Sequence, residues 1–302
     1  MKKFIALFLA VLFLAGCTDA KSKTPGGDKT TPAKENTQQA STTGLQNRND
    51  TLKVHFLDVG QGDSILVQFP NGKNMLVDAG KNDSASTITN YLKNNGVEKI
   101  DYLIGTHPHE DHIGSLDAVI KDFEIGEVWM PKATTNTKTF RDVLTAVKNK
   151  GLQINTAKAG VSMLEDGNLS VKVLAPCETT YEDLNNYSAV IKVKYGDIAF
   201  LLTGDAEELS EKEILASGAD LKSQVLKVGH HGSNSSTSPE FLKSINPKYA
   251  VISVGAGNDY HQPHQVTLNK LQKAGVTVLR TDERGTIVFT TDGKEIAQNT
   301  TK

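Results

Sequence analysis

One hexapeptide limits what this 302-residue chain can fold into, because it concentrates groups that a protein interior does not accept unpaired. Its residues are His107, Pro108, His109, Glu110, Asp111 and His112. Asp and Glu are rarely buried without a partner or a metal, and histidine is usually only partly buried. Divalent cations such as Zn²⁺ bind this mixture of imidazole nitrogen and carboxylate oxygen. The hexapeptide therefore favours a metal site over an exposed turn that contains histidines by chance.

The flanking residues predict that the hexapeptide lies at a strand-to-helix turn. Residues 100–106 form a mostly apolar run typical of a buried strand, and residues 114–123 are typical of a helix. At such a turn His107 and His109 can face one point, and Asp111 and His112 a neighbouring one.

Two further polar positions follow apolar strands. Asp205 comes after the strand at residues 198–203, where it can bridge two metal ions or cap a helix that begins at Ala206. His230 and His231 follow the strand at residues 224–228. Because successive strand side chains point to opposite faces, these two histidines are not expected to bind the same ion. We favour His230 as the ligand and keep His231 as the alternative.

The remaining histidines divide into two kinds. His261 and His264 lie in a polar loop that precedes a helix at residues 266–274, whereas His55 lies inside a strand and is interpreted as structural.

The order of hairpin strands, helix, strand and helix occurs once in each half of the chain. This order predicts two sheets packed face to face, with helices on the outside.

The N-terminal residues predict export. Lys2 and Lys3 precede an apolar run at residues 4–14, which is too short to span a bilayer. Leu14, Ala15 and Gly16 stand directly before Cys17, which resembles a bacterial lipoprotein signal. That resemblance implies cleavage after residue 16, acylation of Cys17 and anchoring to the cell membrane, facing outside the cytoplasm. The alternative is an ordinary secretory signal in which Cys17 is incidental.

Composition divides the rest into a tether and one large domain. Residues 17–50 contain almost no large apolar side chains, so they cannot bury enough surface to fold and predict a flexible tether before a domain at residues 51–302. Without residues 1–16 the chain has 31 basic and 35 acidic side chains, a net charge of −4. This balance argues weakly against a surface built for tight nucleic-acid binding. Cys177 is the only other cysteine, so no disulfide is expected.

The hexapeptide and several other motifs resemble the metallo-β-lactamase superfamily, whose pattern His-x-His-x-Asp-His stands here at residues 107–112. The branch it resembles is the hydrolase domain of ComEC-type DNA-uptake proteins and their secreted stand-alone relatives. The segments that carry this resemblance are residues 57–64, 78–80, 185–188, 202–205, 229–233 and 280–282. It extends from about residue 53 to about residue 289. It implies an α/β fold, the four-layer αβ/βα sandwich, with metal ions between the two sheets.

The resemblance also implies roles for individual residues. His107 and His109 would bind one ion, Asp111, His112 and His230 the other, and Asp205 would bridge them. Asp78, Asp63, Asn186 and Ser188 would lie just outside and orient the ligands. The implied cofactor is one or two divalent ions, Zn or Mn.

Two departures from the pattern concern ligands. No histidine stands between Ile113 and Gly229, and residues 185–188 occupy roughly the place where many relatives have another histidine ligand. The first ion would therefore lack one protein ligand. The loop that usually reads Tyr-Gly-His-Pro reads Tyr260, His261, Gln262 and Pro263 here, so the histidine role could pass to His261 or His264.

These features predict a metal-dependent hydrolase. A divalent metal lowers the pKa of bound water from about 15.7 to about 7, which supplies hydroxide at neutral pH. Asp111 or Asp205 would orient the water, and His231 or His264 would polarise the substrate or protonate the leaving group. The relatives imply a phosphodiesterase or nuclease, with DNA as a candidate substrate. The alternatives are a hydrolase of another ester or a lactam, and a non-catalytic surface binding protein.

Overall fold

The computed structural model describes residues 50–302. The signal peptide and tether expected at residues 1–16 and 17–50, together with Cys17, lie outside this range except for Asp50. Among the described residues, no helix has both the length and the apolar character needed to cross a bilayer.

The described residues form fifteen strands and eight α-helices, with three short 3-10 helices. The strands are β1 (Leu52–Phe56), β2 (Ile65–Gln68), β3 (Asn74–Val77), β4 (Lys99–Ile104), β5 (Glu124–Met130), β6 (Ile154–Thr156), β7 (Ser162–Asp166), β8 (Leu169–Ala175), β9 (Val190–Tyr195), β10 (Ile198–Leu202), β11 (Val225–Lys227), β12 (Tyr249–Ile252), β13 (Thr277–Arg280), β14 (Ile287–Thr291) and β15 (Ile296–Thr300). The helices are α1 (Ala85–Asn94), α2 (Glu110–Ile113), α3 (Leu116–Asp122), α4 (Lys138–Asn149), α5 (Glu208–Ala216), α6 (Pro239–Ile245), α7 (Gln265–Lys273) and α8 (Thr281–Arg284).

The strands form two mixed sheets. The order in the first is β15-β14-β1-β2-β3-β4-β5-β6, and in the second β13-β12-β11-β10-β9-β8-β7. In the first sheet the strands from β15 to β3 pair antiparallel and those from β3 to β6 pair parallel. In the second sheet β7 to β10 pair antiparallel and β10 to β13 pair parallel. Each half of the chain thus repeats the same arrangement.

Strand alternation divides the apolar side chains among three layers of core. In β3, Met75 and Val77 enter the cluster between the sheets, whereas Leu76 between them packs with the residues of α1, α3 and α4. The inter-sheet cluster also contains Phe200 from the second sheet, and a third cluster packs that sheet against α5, α6 and α7. The predicted αβ/βα sandwich is confirmed.

Most predicted elements lie within one to three residues of the observed ones. The sequence interpretation missed β15, whose two half-buried end residues enclose three exposed ones and so carry little strand signal. The strand before Met130 is also longer than predicted. It begins at Glu124, because polar residues alternate with Ile125 and Val128 on a half-exposed strand. Finally, α5 begins at Glu208 with Glu207 as its N-cap, so Asp205 does not cap it.

Candidate metal centre

The candidate site lies at the carboxyl ends of parallel strands in both sheets. Asp78 follows β3 and the hexapeptide follows β4, its parallel neighbour. Asp205 follows β10, and His231 follows β11, again a parallel neighbour. Because parallel neighbours end at the same edge of a sheet, four distant segments bring their polar side chains to one place.

Two groups of potential ligand atoms lie side by side. The first contains His107, His109 and Asp205, and the second contains Asp111, His112, Asp205 and His231, with the ligand atoms of each group within 4.8 Å of one another. Asp205 belongs to both groups. This is the arrangement expected of a carboxylate that bridges two ions.

The hydrogen bonds of two histidines direct their free nitrogens at the same point. Nδ1 of His231 lies 2.9 Å from the carbonyl oxygen of Ser253, and a carbonyl only accepts, so this nitrogen donates. Nδ1 of His112 likewise donates to Asp78 Oδ2 at 2.7 Å. When both rings are neutral, the two Nε2 atoms face each other at 3.3 Å with their lone pairs, an arrangement that a shared cation would stabilise in place of a proton.

The carboxylates around these nitrogens fit the same cation. Oδ2 of Asp205 lies 3.1 Å from His112 Nε2, and Asp111 Oδ2 lies 3.2 Å from His231 Nε2. Oδ1 of Asp205 is buried and has no hydrogen-bond partner among the described residues. A buried carboxylate oxygen without a donor is costly, and a bound cation would remove that cost. The donor set is therefore suited to one or two divalent metals.

The pKa values of the site show how strongly it favours positive charge. Burial opposes ionisation of Asp205, but the His112 and His231 imidazoles outweigh burial and hold its pKa well below the usual range. Burial also opposes protonation of His112, yet Asp205 and Asp78 raise its pKa well above the usual value. His107 is different, because burial and the neighbouring His112 lower its pKa. The Asp205 carboxylate thus stays ionised and available as a ligand.

Asp78 holds both the chain after β4 and the ring of His112 in place. Its carboxylate accepts hydrogen bonds from the backbone N of Thr106 at 2.8 Å and from the Thr106 hydroxyl at 2.7 Å. With the bond to His112, one buried side chain sets both the start of the hexapeptide and one ligand ring. Asp78 thus lies beside the ligand groups, where the family resemblance implied an orienting role for it.

Asp63 connects the centre to the second sheet. Its carboxylate lies 3.0 Å from Lys227 Nζ and 3.6 Å from His231 Nδ1, and its backbone N donates to the carbonyl oxygen of Asp111 at 3.1 Å. Lys227 is fully buried and also donates to the carbonyl oxygen of Val228 at 2.8 Å. Sequence reasoning missed Lys227, although a lysine inside an apolar strand was a usable signal.

The segment at residues 185–188 contributes one residue, Ser188, to the centre. Ser188 Oγ accepts from the backbone N of Asp205 at 3.1 Å and lies 3.3 Å from His107 Nδ1. Asn186 instead accepts from the backbone N of Ser210 at 3.3 Å and so fixes α5. Ser188 therefore supports both a first-group ligand and the shared carboxylate.

His230 does not join either ligand group, whereas the alternative, His231, does. His230 Nε2 lies 3.8 Å from Asp205, and its Nδ1 lies 3.3 Å from both Glu207 and Ser235. Both histidines have positive φ angles, 47° and 52°, so they lie in a tight turn and not in the extended strand that the alternation argument assumed. The geometry favours His231 as the ligand.

His264 lies away from the ligand groups. Its Nδ1 accepts from the backbone N of Asn234 at 3.0 Å, and its Nε2 lies 3.2 Å from the carbonyl oxygen of Tyr260. Both nitrogens are thus occupied in holding the loop, and His261 is exposed. The structure brings neither loop histidine to the cluster.

A cavity of about 350 Å³ opens above the two ligand groups. Its lining includes His109, Asp111, Asp205, His230 and His231, and beyond them Gln61, Lys81, Glu110, Tyr260 and Gln262. The side chain of Gln61 donates to Gln262 at 2.9 Å and accepts from the backbone N of Gly255 at 3.1 Å. Gln61 therefore connects the two halves of the chain at the cavity.

A model of the metallo-beta-lactamase superfamily matches residues 57–256. The chain is 35% identical to ComE operon protein 3 of Bacillus subtilis over 254 residues, which is 78% of this chain and 33% of that protein. It is 33% identical to competence protein ComA of Neisseria gonorrhoeae over 238 residues, 78% of this chain and 32% of that one. The chain thus spans about a third of the length of these relatives.

A solved structure agrees with the fold. CmlA, a diiron beta-hydroxylase from Streptomyces venezuelae, superposes with a TM-score of 0.51 at 13% identity, over 76% of this chain and 52% of that one. At this identity the likeness concerns the arrangement of strands and helices alone.

Proposed function

Because the chain belongs to the metallo-beta-lactamase superfamily as a metal-dependent hydrolase with ComEC-type competence proteins among its relatives, we propose that it hydrolyses phosphodiester bonds. The observation that carries the proposal is the sharing of Asp205 between two adjacent ligand groups below an open cavity. DNA is the candidate substrate, since two of the relatives bear names that refer to competence or recombination.

The ligand roles in the proposal follow the geometry. His107, His109 and Asp205 would hold one ion, and Asp111, His112, Asp205 and His231 the other. When bound, a divalent metal such as Zn or Mn lowers the pKa of water and neutralises charge that develops on a phosphoryl oxygen. Two-metal sites of this kind occur in phosphatases and nucleases, where the ions stabilise the attacking and leaving oxygens and no Ser or Cys nucleophile is needed.

The protein's own groups perform the remaining tasks. Asp111 borders the cavity and is about one fifth exposed, so its carboxylate can accept a hydrogen bond from the attacking water. His230 lines the same cavity with its Nδ1 held beside Glu207, which leaves Nε2 available to a substrate. Asp78 and Ser188 hold the rings and the shared carboxylate in place.

The proposal is tested by measuring whether the purified protein hydrolyses bis-para-nitrophenyl phosphate and single-stranded DNA. Each substrate is assayed with Mn²⁺ or Zn²⁺ and again with EDTA. We expect turnover that EDTA abolishes and that His107→Ala lowers by at least about 100-fold, because outer changes alone cost 10- to 100-fold. His261→Asn, outside the ligand groups, is the matched control and should retain activity. Hydrolysis of nitrocefin in place of either phosphodiester would favour the lactam alternative, and a metal-free, inactive protein would favour a binding role.

We further propose that the protein is exported and anchored in the membrane by an acylated Cys17, on the basis of the residues before Cys17. Cys17→Ser should move the protein from the membrane fraction to the soluble exported fraction. If both forms fractionate identically, the anchor is excluded.

A further inference from the structure

Tyr260 is the most exposed large apolar side chain among residues 50–302, at 62% exposure, and it lines the cavity above the ligand groups. A single exposed apolar residue needs no explanation by itself. Its position is what matters, because an aromatic ring beside a catalytic cavity offers a flat surface to whatever enters.

The loop that carries Tyr260 is held rigidly. Asn258 Oδ1 accepts from the backbone N atoms of Tyr260 and Gln262 at 3.2 and 3.1 Å. Its Nδ2 donates to the carbonyl oxygens of Gly255 and Gln262 at 2.9 and 2.6 Å. His264 Nε2 lies within hydrogen-bond distance of the Tyr260 carbonyl oxygen, and the Gln262 side chain accepts a hydrogen bond from Gln61. The ring is therefore presented on a preorganised loop, which lowers the entropic cost of binding.

Lys81 supplies a cation to the same cavity. Its Nζ makes no ion pair or hydrogen bond with any part of the chain that the structure describes. Its backbone is fixed, because its carbonyl oxygen accepts from Ser115 Oγ at 2.5 Å. The nearby Glu110 carboxylate is held by Asn82 at 2.7 Å. An unpaired ammonium beside a metal centre is suited to a phosphate group.

We propose that the cavity binds one nucleotide unit of a single-stranded nucleic acid, with its base stacked on Tyr260 and a flanking phosphate at Lys81. The inference rests on the proposed phosphodiesterase function and names its substrate class. A cavity of about 350 Å³ suits one nucleotide and not a duplex. In a duplex both faces of each base are already stacked, so only an unpaired base can offer a face to the ring.

The inference is tested independently of turnover by measuring how a fluorescent phosphorothioate oligothymidylate binds to the metal-loaded protein. Fluorescence anisotropy gives the affinity. Stacking of one base on an aromatic ring corresponds to about 5- to 150-fold in affinity. Tyr260→Ala should weaken binding at least about 5-fold, and Tyr260→Trp should restore it. Val266→Ala is the matched control, because Val266 is 58% exposed but lies outside the cavity lining.

The cation is tested in the same way. Lys81→Met should weaken binding and reduce its salt dependence, whereas Lys148→Met, an exposed lysine of α4, should leave both unchanged. An oligouridylate of equal length distinguishes RNA from DNA as the source of the nucleotide. A duplex of the same length should compete poorly, and tight duplex binding would overturn the inference.

A pair of small substrates separates this inference from the function on which it rests. Thymidine 5′-(para-nitrophenyl phosphate) and methyl para-nitrophenyl phosphate share a leaving group. The ratio of their kcat/KM values therefore reports only what the nucleoside contributes to recognition. Tyr260→Ala should lower that ratio at least about 5-fold. An unchanged ratio with turnover intact would overturn the inference and leave the function standing. Oligonucleotide binding that depends on Tyr260, without any turnover, would support the inference and contradict the proposed hydrolytic function.

Discussion

Lys227 and Asp63 form a fully buried ion pair beneath the candidate metal centre, with Nζ 3.0 Å from Oδ2 and exposures of 0% and 1%. The pair joins a strand of the second sheet to the loop that follows β1 in the first. Because Asp63 also touches the backbone of Asp111 and approaches His231, the pair lies between the two halves of the ligand set. It therefore connects the packing of the sheets to the position of the ligands.

Lys227→Met should destabilise the fold by about 3–5 kcal/mol, because it leaves the Asp63 charge buried and unpaired. The double variant Lys227→Met/Asp63→Leu should recover most of this loss, since an apolar pair of similar size replaces the ions. Urea unfolding measures both. Asp220→Asn is the control, because its pair with Lys192 is 71% exposed on the Asp220 side and should cost no more than about 1 kcal/mol. Equal losses for Lys227→Met and Asp220→Asn would contradict the assigned role.

Asp78→Asn should weaken metal binding about 10- to 100-fold, the usual effect of losing a partner that orients a ligand. The variant keeps the volume of Asp78 but removes the charge that sets the His112 ring. Competition with a metal-sensitive dye measures the affinity. Asp101→Asn removes a carboxylate remote from the centre, one that accepts from the backbone N of Asn74, and should leave the affinity unchanged. If the two variants bind metal equally well, Asp78 does not act on the centre.

Gly62→Ala should disrupt the site far more than Gly60→Ala. A Cβ at Gly62 would lie 2.3 Å from the carbonyl oxygen of Asp111, and the backbone there has a φ of +139°. A Cβ at Gly60, at a φ of +73°, would meet nothing within 4 Å, so only the cost of a left-handed residue remains, about 1–2 kcal/mol. We expect loss of bound metal for Gly62→Ala only, measured by elemental analysis of folded protein. Full metal content in Gly62→Ala would refute the close contact.

Metal removal should lower the thermal stability of the protein. A ligand that binds only the folded state stabilises it by about 2.7 kcal/mol at 100 times its dissociation constant. Without it, the carboxylates of Asp205 and Asp111 lie close together in one ligand group with no cation between them. Calorimetry with and without EDTA measures the shift, and Mn²⁺ or Zn²⁺ should restore it. Asp205→Asn should respond much less to EDTA, and an equal response would point to metal bound elsewhere.

The fold and most of the candidate ligands were predictable because their signals are local. Apolar runs defined the strands, and the hexapeptide at the end of β4 placed His107, His109, Asp111 and His112 in one turn. Asp205 at the end of β10 was recognisable in the same way. The order of strands and helices in each half predicted two packed sheets with outer helices, and the family resemblance added the expected metal ions between them.

The choice between His230 and His231 was not predictable, because it depends on a turn whose backbone leaves the extended region at both residues. The roles of Gln61, Lys81 and Tyr260 were also hidden, since each depends on a partner or a cavity wall about 30 or more residues distant in sequence. Long-range contacts of this kind leave no periodic signal in the chain.

Anomalous diffraction at the zinc absorption edge, from crystals of metal-loaded protein, tests the central claim most directly. We predict density for ions in contact with Asp205, one beside His107 and His109 and one beside His112 and His231. Crystals with full zinc content and no anomalous density at Asp205 would contradict the proposed hydrolytic centre.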